Sequence, residues 1–246
     1  MKFLKRPRTA EDKSVIELGE RRLPLTVRTN ARARRMTLKI EPGGHGVSLT
    51  VPPGLARHEV DGFLRRHHDW LMDRVGRLAD RGITVEDGCS LPVLGEPHVV
   101  RHSGRLRGLT ESRVEDGVRV LLVSGPPEAT GRRVAEHLKK EAKRILTDRA
   151  AFHAAASGKA FKTITFKDTR SRWGSCSSAG NLNFSWRLAM APPYVIDYLA
   201  AHEVAHLTEM NHGPRFWALC RKLCPRTEEA RAWLKAEGSF LHAVRF

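Results

Sequence analysis

Three histidines and one glutamate fall within eleven positions of this chain, as His202-Glu203-Val204-Ala205-His206 and then His212. On an α-helix, side chains four apart are rotated by about 40° and separated by about 6 Å along the axis, so His202 and His206 project from one face as a pincer. Imidazole is a common ligand of divalent metals, and one ion fits between two rings so placed. Glu203 is turned by about 100° from His202, which puts its carboxylate beside the ion, where it takes a proton from a metal-activated water. His212 lies too far along a continuing helix to face the same point, so the chain must reverse after about one more turn. Asn211 tolerates the left-handed conformation that ends helices, and Gly213-Pro214 suits the start of a new one. Three nitrogen donors with an open fourth position are what a catalytic zinc requires, since the metal lowers the pKa of a water there to about 7. The expected site is one Zn2+ per chain on His202, His206 and His212, with Glu203 as general base.

Rival assignments use nearby residues. Glu228 or Glu229 could replace His212 as third ligand if a following helix carried it back to the metal. Metzincins share the spacing from second to third histidine, but they need Gly where this chain has Glu209 and a methionine turn downstream, and no Met follows Met210. The same ligand set also serves a hydrolase of a non-peptide anionic substrate such as a nucleotide phosphoanhydride. No Gly-rich phosphate loop accompanies it. If the substrate is a peptide, the developing oxyanion needs a further donor, for which Arg172, Tyr194 and Arg215 are candidates.

The formal charge of +16 over 246 residues attracts polyanions, so nucleic acid is a candidate partner, with the zinc then chiefly structural. The cations are spread along the chain, in Arg32-Ala33-Arg34-Arg35, Arg65-Arg66, Arg132-Arg133 and Lys139-Lys140, outside any recognisable nucleic-acid module. A hydrophobic content of 41% supports one large core or two modest ones. No apolar run is long enough to span a membrane, and Met1-Lys2-Phe3-Leu4-Lys5-Arg6 lacks the apolar stretch of a signal peptide. A cytoplasmic location without membrane contact is the expectation. Cys89, Cys176, Cys220 and Cys224 form no Cys-x-x-Cys pair and are expected to be reduced, the last two packing one turn apart on an apolar stripe.

The elements that must position the site follow from periodicity. Residues 1–14 read as a basic tail. Leu23 to Arg28, Arg35 to Ile40 and Val47 to Val51 read as strands, with Pro42-Gly43-Gly44-His45-Gly46 turning the second into the third. Val60, Phe63, Leu64, His67, Trp70, Leu71, Val75 and Leu78 recur at helical spacing, with His67 expected to be packed rather than a ligand. Strand character returns over 83–123, and the Ser124-Gly125-Pro126-Pro127 break suggests a domain boundary at 125/126. A long basic amphipathic helix is expected from about Ala129 to Ala155. Thr163 to Phe166, Trp173 to Cys176 and Leu182 to Trp186 then read as a small antiparallel sheet. The ligand helix would run from about Pro193 to Met210, and the next, from Pro214, would pack Phe216, Trp217, Leu219, Cys220 and Leu223 under the metal. The class is α+β, a β-rich N-terminal region with one amphipathic helix (15–125) followed by the unit that bears the histidines (126–246).

Several segments in order carry a resemblance: Arg170-Ser171-Arg172-Trp173-Gly174-Ser175-Cys176, Trp186-Arg187-Leu188, Ala191-Pro192-Pro193, His202-Glu203-Val204-Ala205-His206-Leu207, and Asn211-His212 leading into Arg215-Phe216-Trp217. Together they resemble the YgjP-like metallopeptidases, relatives of SprT-like zinc peptidases, from about residue 15 to the C-terminus and most strongly over 168–225. The resemblance implies a zincin-like catalytic domain, zinc on His202, His206 and His212, Glu203 as general base, and a peptide or protein substrate. It also implies that the Arg-Trp-Gly-Ser-Cys block builds the sheet beside the active-site helix, where an edge strand holds an extended substrate by backbone pairing.

Overall fold

Val47-Ser48-Leu49-Thr50-Val51 is buried on both faces, as a central strand with covered faces should be. In the computed structural model, which describes residues 11–80, 82–169 and 172–246, it is the fourth strand of a sheet. The chain divides into two compact units, residues 1–81 and 82–246.

In the first unit, β1 (Glu11–Leu18) and β2 (Arg21–Thr29) form an antiparallel hairpin. β3 (Thr37–Ile40) and β4 (Val47–Val51) form another, through the Pro-Gly-Gly turn that the sequence suggested. The sheet order is β1-β2-β4-β3, with β2 and β4 parallel. Two helices follow, α1 (Arg57–Arg66) and α2 (His68–Asp80). The continuous periodicity over 60–78 is thus broken at His67, whose Nδ1 bonds the Phe63 carbonyl at 2.9 Å and whose ring stacks on Phe63. Leu71 and Val75 enter the core with Leu18, Leu25, Val47, Leu49 and Val51, whereas Trp70, expected on the apolar stripe, is 48% exposed. Of the anticipated basic tail, residues 1–10 lie outside the described residues, and residues 11–14 belong to β1.

The second unit opens with a sheet of order β5-β6-β8-β7, from β5 (Ser90–Val93), β6 (Glu96–His102), β7 (Glu111–Glu115) and β8 (Val118–Val123). Helix α3 (Thr130–Ser157) buries Val134, Leu138, Ala142, Leu146, Ala150 and Ala154, one face at helical spacing. Val120, Leu121 and Val123 of β8 are buried in the unit that holds this face, and Gly125 N–H donates to the Arg105 carbonyl at 2.8 Å. The Ser124–Pro127 break is therefore a bend inside one unit, and the division between units falls earlier, after Arg81.

Next come β9 (Thr163–Lys167), β10 (Gly174–Cys176) and β11 (Asn181–Ser185), in the order β10-β11-β9. β10 pairs antiparallel with β11, but β9 pairs parallel with it, so the sheet is mixed rather than antiparallel. After a short 3-10 turn, α4 (Pro193–Ala205), α5 (Pro214–Leu223) and α6 (Thr227–Ala243) complete the chain. The start of α4 is docked by the β5–β6 turn. Leu94 and Gly95 both have positive φ, as a two-residue hairpin turn requires, and their N–H groups donate to the Ala189 and Met190 carbonyls. A Cβ on Gly95 would stand 2.9 Å from Pro192 Cα, so a side chain there would push the turn off the helix. Arg187 binds Asp168 at 2.7 Å and the Leu241 and Val244 carbonyls at 2.9 Å, tying the segment before β10 to the end of α6.

Candidate metal centre

Helix α4 is apolar nearly all round, and Val195, Ile196, Leu199, Ala200, Ala201, Val204 and Ala205 are all buried, so its last turn is held rigidly. The helix stops at Ala205, short of the expected Met210, but His206 as its C-cap keeps right-handed helical angles (φ −65°, ψ −17°). The four-residue spacing therefore survives, and the His202 and His206 ring centroids lie 5.0 Å apart. The reversal does not use a left-handed Asn211, since Leu94 and Asp116 are the only described non-glycine residues with positive φ. Gly213 caps α5 and Pro214 begins it, as anticipated.

This reversal returns His212 to α4, with its Nε2 3.0 Å from Nε2 of His202. One ligand atom from each of His202, His206 and His212 lies within 4.8 Å of the others, a group able to hold a metal ion. Tetrahedral zinc with Zn–N bonds of about 2.05 Å sets its nitrogens about 3.3 Å apart, so small adjustments suffice. Around the triad, His206 Nδ1–H donates to the Glu209 carbonyl at 3.0 Å, which leaves Nε2 as the donor atom. Nδ1 of His202 lies 3.2 Å from the Tyr198 hydroxyl, one helical turn back. Phe216, fully buried, stacks on His206 at 4.5 Å and presents an edge to His202 and His212. Trp217 stacks on His212, and the Arg231 guanidinium lies 4.3 Å over Trp217.

The environment favours neutral imidazoles. Burial, reinforced by His206 and His212, pushes the His202 pKa down to about 3, and burial lowers that of His206. Neutral imidazole is the form that binds metal. Glu203 is 3% exposed, and burial lifts its carboxyl to about 8 against the opposing charge of Arg172. Of the oxyanion-donor candidates, Arg172 is thus the one brought toward Glu203. Tyr194 sits under the Arg226 guanidinium at 3.9 Å, and Arg215 is exposed on the first turn of α5. Glu228 pairs with Arg221 and Arg231, and Glu229 with Arg226, so neither joins the histidines. Sequence reasoning missed Tyr198 and Gly174 at the site. The first had a signal in its four-residue spacing from His202. A separate cleft of about 720 Å3, lined by Glu96, His98, Ser112, Arg133, His137 and Lys140 among others, does not include the triad.

Three imidazoles converging from a helix end and the loop behind it, with a buried carboxylate alongside, form the donor set that a metal-dependent hydrolase needs. The family model described as YgjP-like, metallopeptidase domain, matches residues 34–237, and the chain belongs to this family. The family is one of metallopeptidases, which are hydrolases of peptide bonds. A search of curated proteins finds no match. No helix among the described residues is long and apolar enough to cross a membrane.

Proposed function

We propose that this protein is a zinc peptidase in which His202, His206 and His212 hold one ion per chain and Glu203 is the general base. The observation that carries the reading is the convergence of three imidazole nitrogens beside a buried carboxyl group. Three nitrogen ligands leave an open position, the pattern of catalytic rather than structural zinc, and the bound ion would supply Lewis acidity to a water and to the scissile carbonyl. In its ionised form Glu203 then accepts the proton of the attacking water and passes it to the leaving amine. β10 supports the substrate side of the reading. It is an edge strand, paired with β11 on one side, and it carries Gly174 against the Glu203 carboxylate. An extended peptide added to its free edge would run past the base by main-chain pairing.

The test is metal content by mass spectrometry of wild type, His206→Ala, His212→Ala and Glu203→Gln, with turnover on fluorescein-labelled casein. The expected result is about one zinc per chain in wild type, loss in both histidine variants, and retention in Glu203→Gln. Turnover by Glu203→Gln should fall at least about a hundredfold. Wild type that takes up no zinc overturns the reading. Phosphate release from a nucleotide, lost in Glu203→Gln and unaccompanied by casein cleavage, transfers the chemistry to an anionic substrate.

A further inference from the structure

The contact between β10 and α4 contains a gap of one side chain. A Cβ built on Gly174 would lie 2.5 Å from Glu203 Oε1, 2.8 Å from Cγ and 2.9 Å from Cδ, and these are its three nearest atoms. Gly174 does not have the left-handed φ that would itself call for glycine, so what is demanded there is space. Neither backbone can withdraw. β10 is pinned by its pairing with β11, by the Ser185 N–H donating to the Trp173 carbonyl at 2.8 Å, and by Trp173 stacked at 4.3 Å on His242 of α6. α4 is fixed by the fully buried Ala200, Ala201, Val204 and Ala205 on either side of Glu203. A methyl at position 174 is therefore accommodated by displacing the Glu203 side chain from Cγ outward, and the carboxylate moves with it.

We infer that Gly174 is a positioning residue for Glu203: the absence of its side chain forms the seat that sets where the carboxylate stands relative to the three histidines. The inference rests on the peptidase reading for its consequence in turnover, but the seat itself is a property of the fold. The atoms nearest the added methyl belong to Glu203 and to no histidine, so metal binding and carboxylate placement separate. A misplacement of about 1 Å in a catalytic group costs about a hundredfold in rate.

The experiment compares Gly174→Ala in two backgrounds of the full chain, wild type and Glu203→Ala. With Glu203 present, Gly174→Ala should keep about one zinc per chain while kcat on labelled casein falls about a hundredfold and KM moves little. Independently of activity, Gly174→Ala should lower Tm with Glu203 present and leave it unchanged in Glu203→Ala, where the opposing side chain is gone. Wild-type kcat in Gly174→Ala, or an equal loss of Tm in both backgrounds, overturns the inference. A zinc-loaded wild type that cleaves no casein overturns the peptidase reading instead, and the Tm comparison still decides whether Gly174 seats Glu203.

Discussion

Orientation of a metal-ligating imidazole depends on the partner of its other nitrogen. Here His206 is served by the Glu209 carbonyl and His202 by the Tyr198 hydroxyl, so the two histidines differ in how easily their support can be removed. Tyr198→Phe deletes one hydroxyl and keeps the ring packed edge-on against His202. Zinc affinity should fall about tenfold, read by competition with a chromogenic chelator, with little change in Tm. Unchanged affinity would mean that packing against Phe216 alone orients His202. Tyr198 stands four residues before His202, so its contact with that ring is legible in the spacing, but its apolar neighbours Val195, Ile196 and Leu199 mark the same stretch as core. The three histidines and Glu203 were legible because their chemistry is specific to residue type and their spacing is local. Gly174 was not, because its meaning lies in the approach of its strand to Glu203, nearly thirty positions further along the chain.

Between elements, α3 and α4 are joined by a polar clamp in an otherwise apolar contact. Asp197 accepts from Arg149 Nε at 2.7 Å and from His153 Nε2 at 2.7 Å, and His153 is fully buried. Burial alone would raise the Asp197 pKa, but these two donors outweigh it and hold the carboxyl below its usual value. A depressed folded-state pKa contributes stability that is present above the unfolded value, about 3.9, and is lost as pH falls through the folded value. Wild type should therefore lose stability below about pH 4 more steeply than Asp197→Asn, measured by urea unfolding across that range. At pH 7 the variant should be less stable by about 2 kcal/mol, because hydrogen bonds to a charged acceptor are replaced by weaker ones. Parallel pH profiles would remove Asp197 from the acid response. Periodicity revealed most helices, including α3 to within two residues of either end. The parallel pairing of β9 with β11 escaped it, since alternation records which face of a strand is buried and not the direction of its neighbour. The early stop of α4 escaped as well, because residues 206–209 carry no breaker.

At the scale of the molecule, the buried side chains of the described residues gather into two clusters: Leu18, Leu25, Val47, Leu49, Val51, Leu71 and Val75 in the first unit, and a much larger one in the second. The sequence placed a division near 125 because Gly and Pro punctuate there, but turn chemistry marks a bend as readily as a boundary, and only the partition of apolar contacts tells them apart. Two cores of unequal size predict unequal stability, since a small unit buries a smaller fraction of its surface. Leu49 is fully buried in the central strand of the smaller core. Leu49→Ala should remove about 3 kcal/mol, the usual loss for a leucine cavity, which is a large share of the stability such a unit can have. The loss should stay local, because Leu49 packs within the first unit's own buried cluster. Calorimetry should then show a low-temperature transition that moves down by many degrees and a second that stays in place, with zinc content unchanged. A single transition that shifts as one would show instead that the two cores unfold together, and would make the first unit part of the stability of the metal centre.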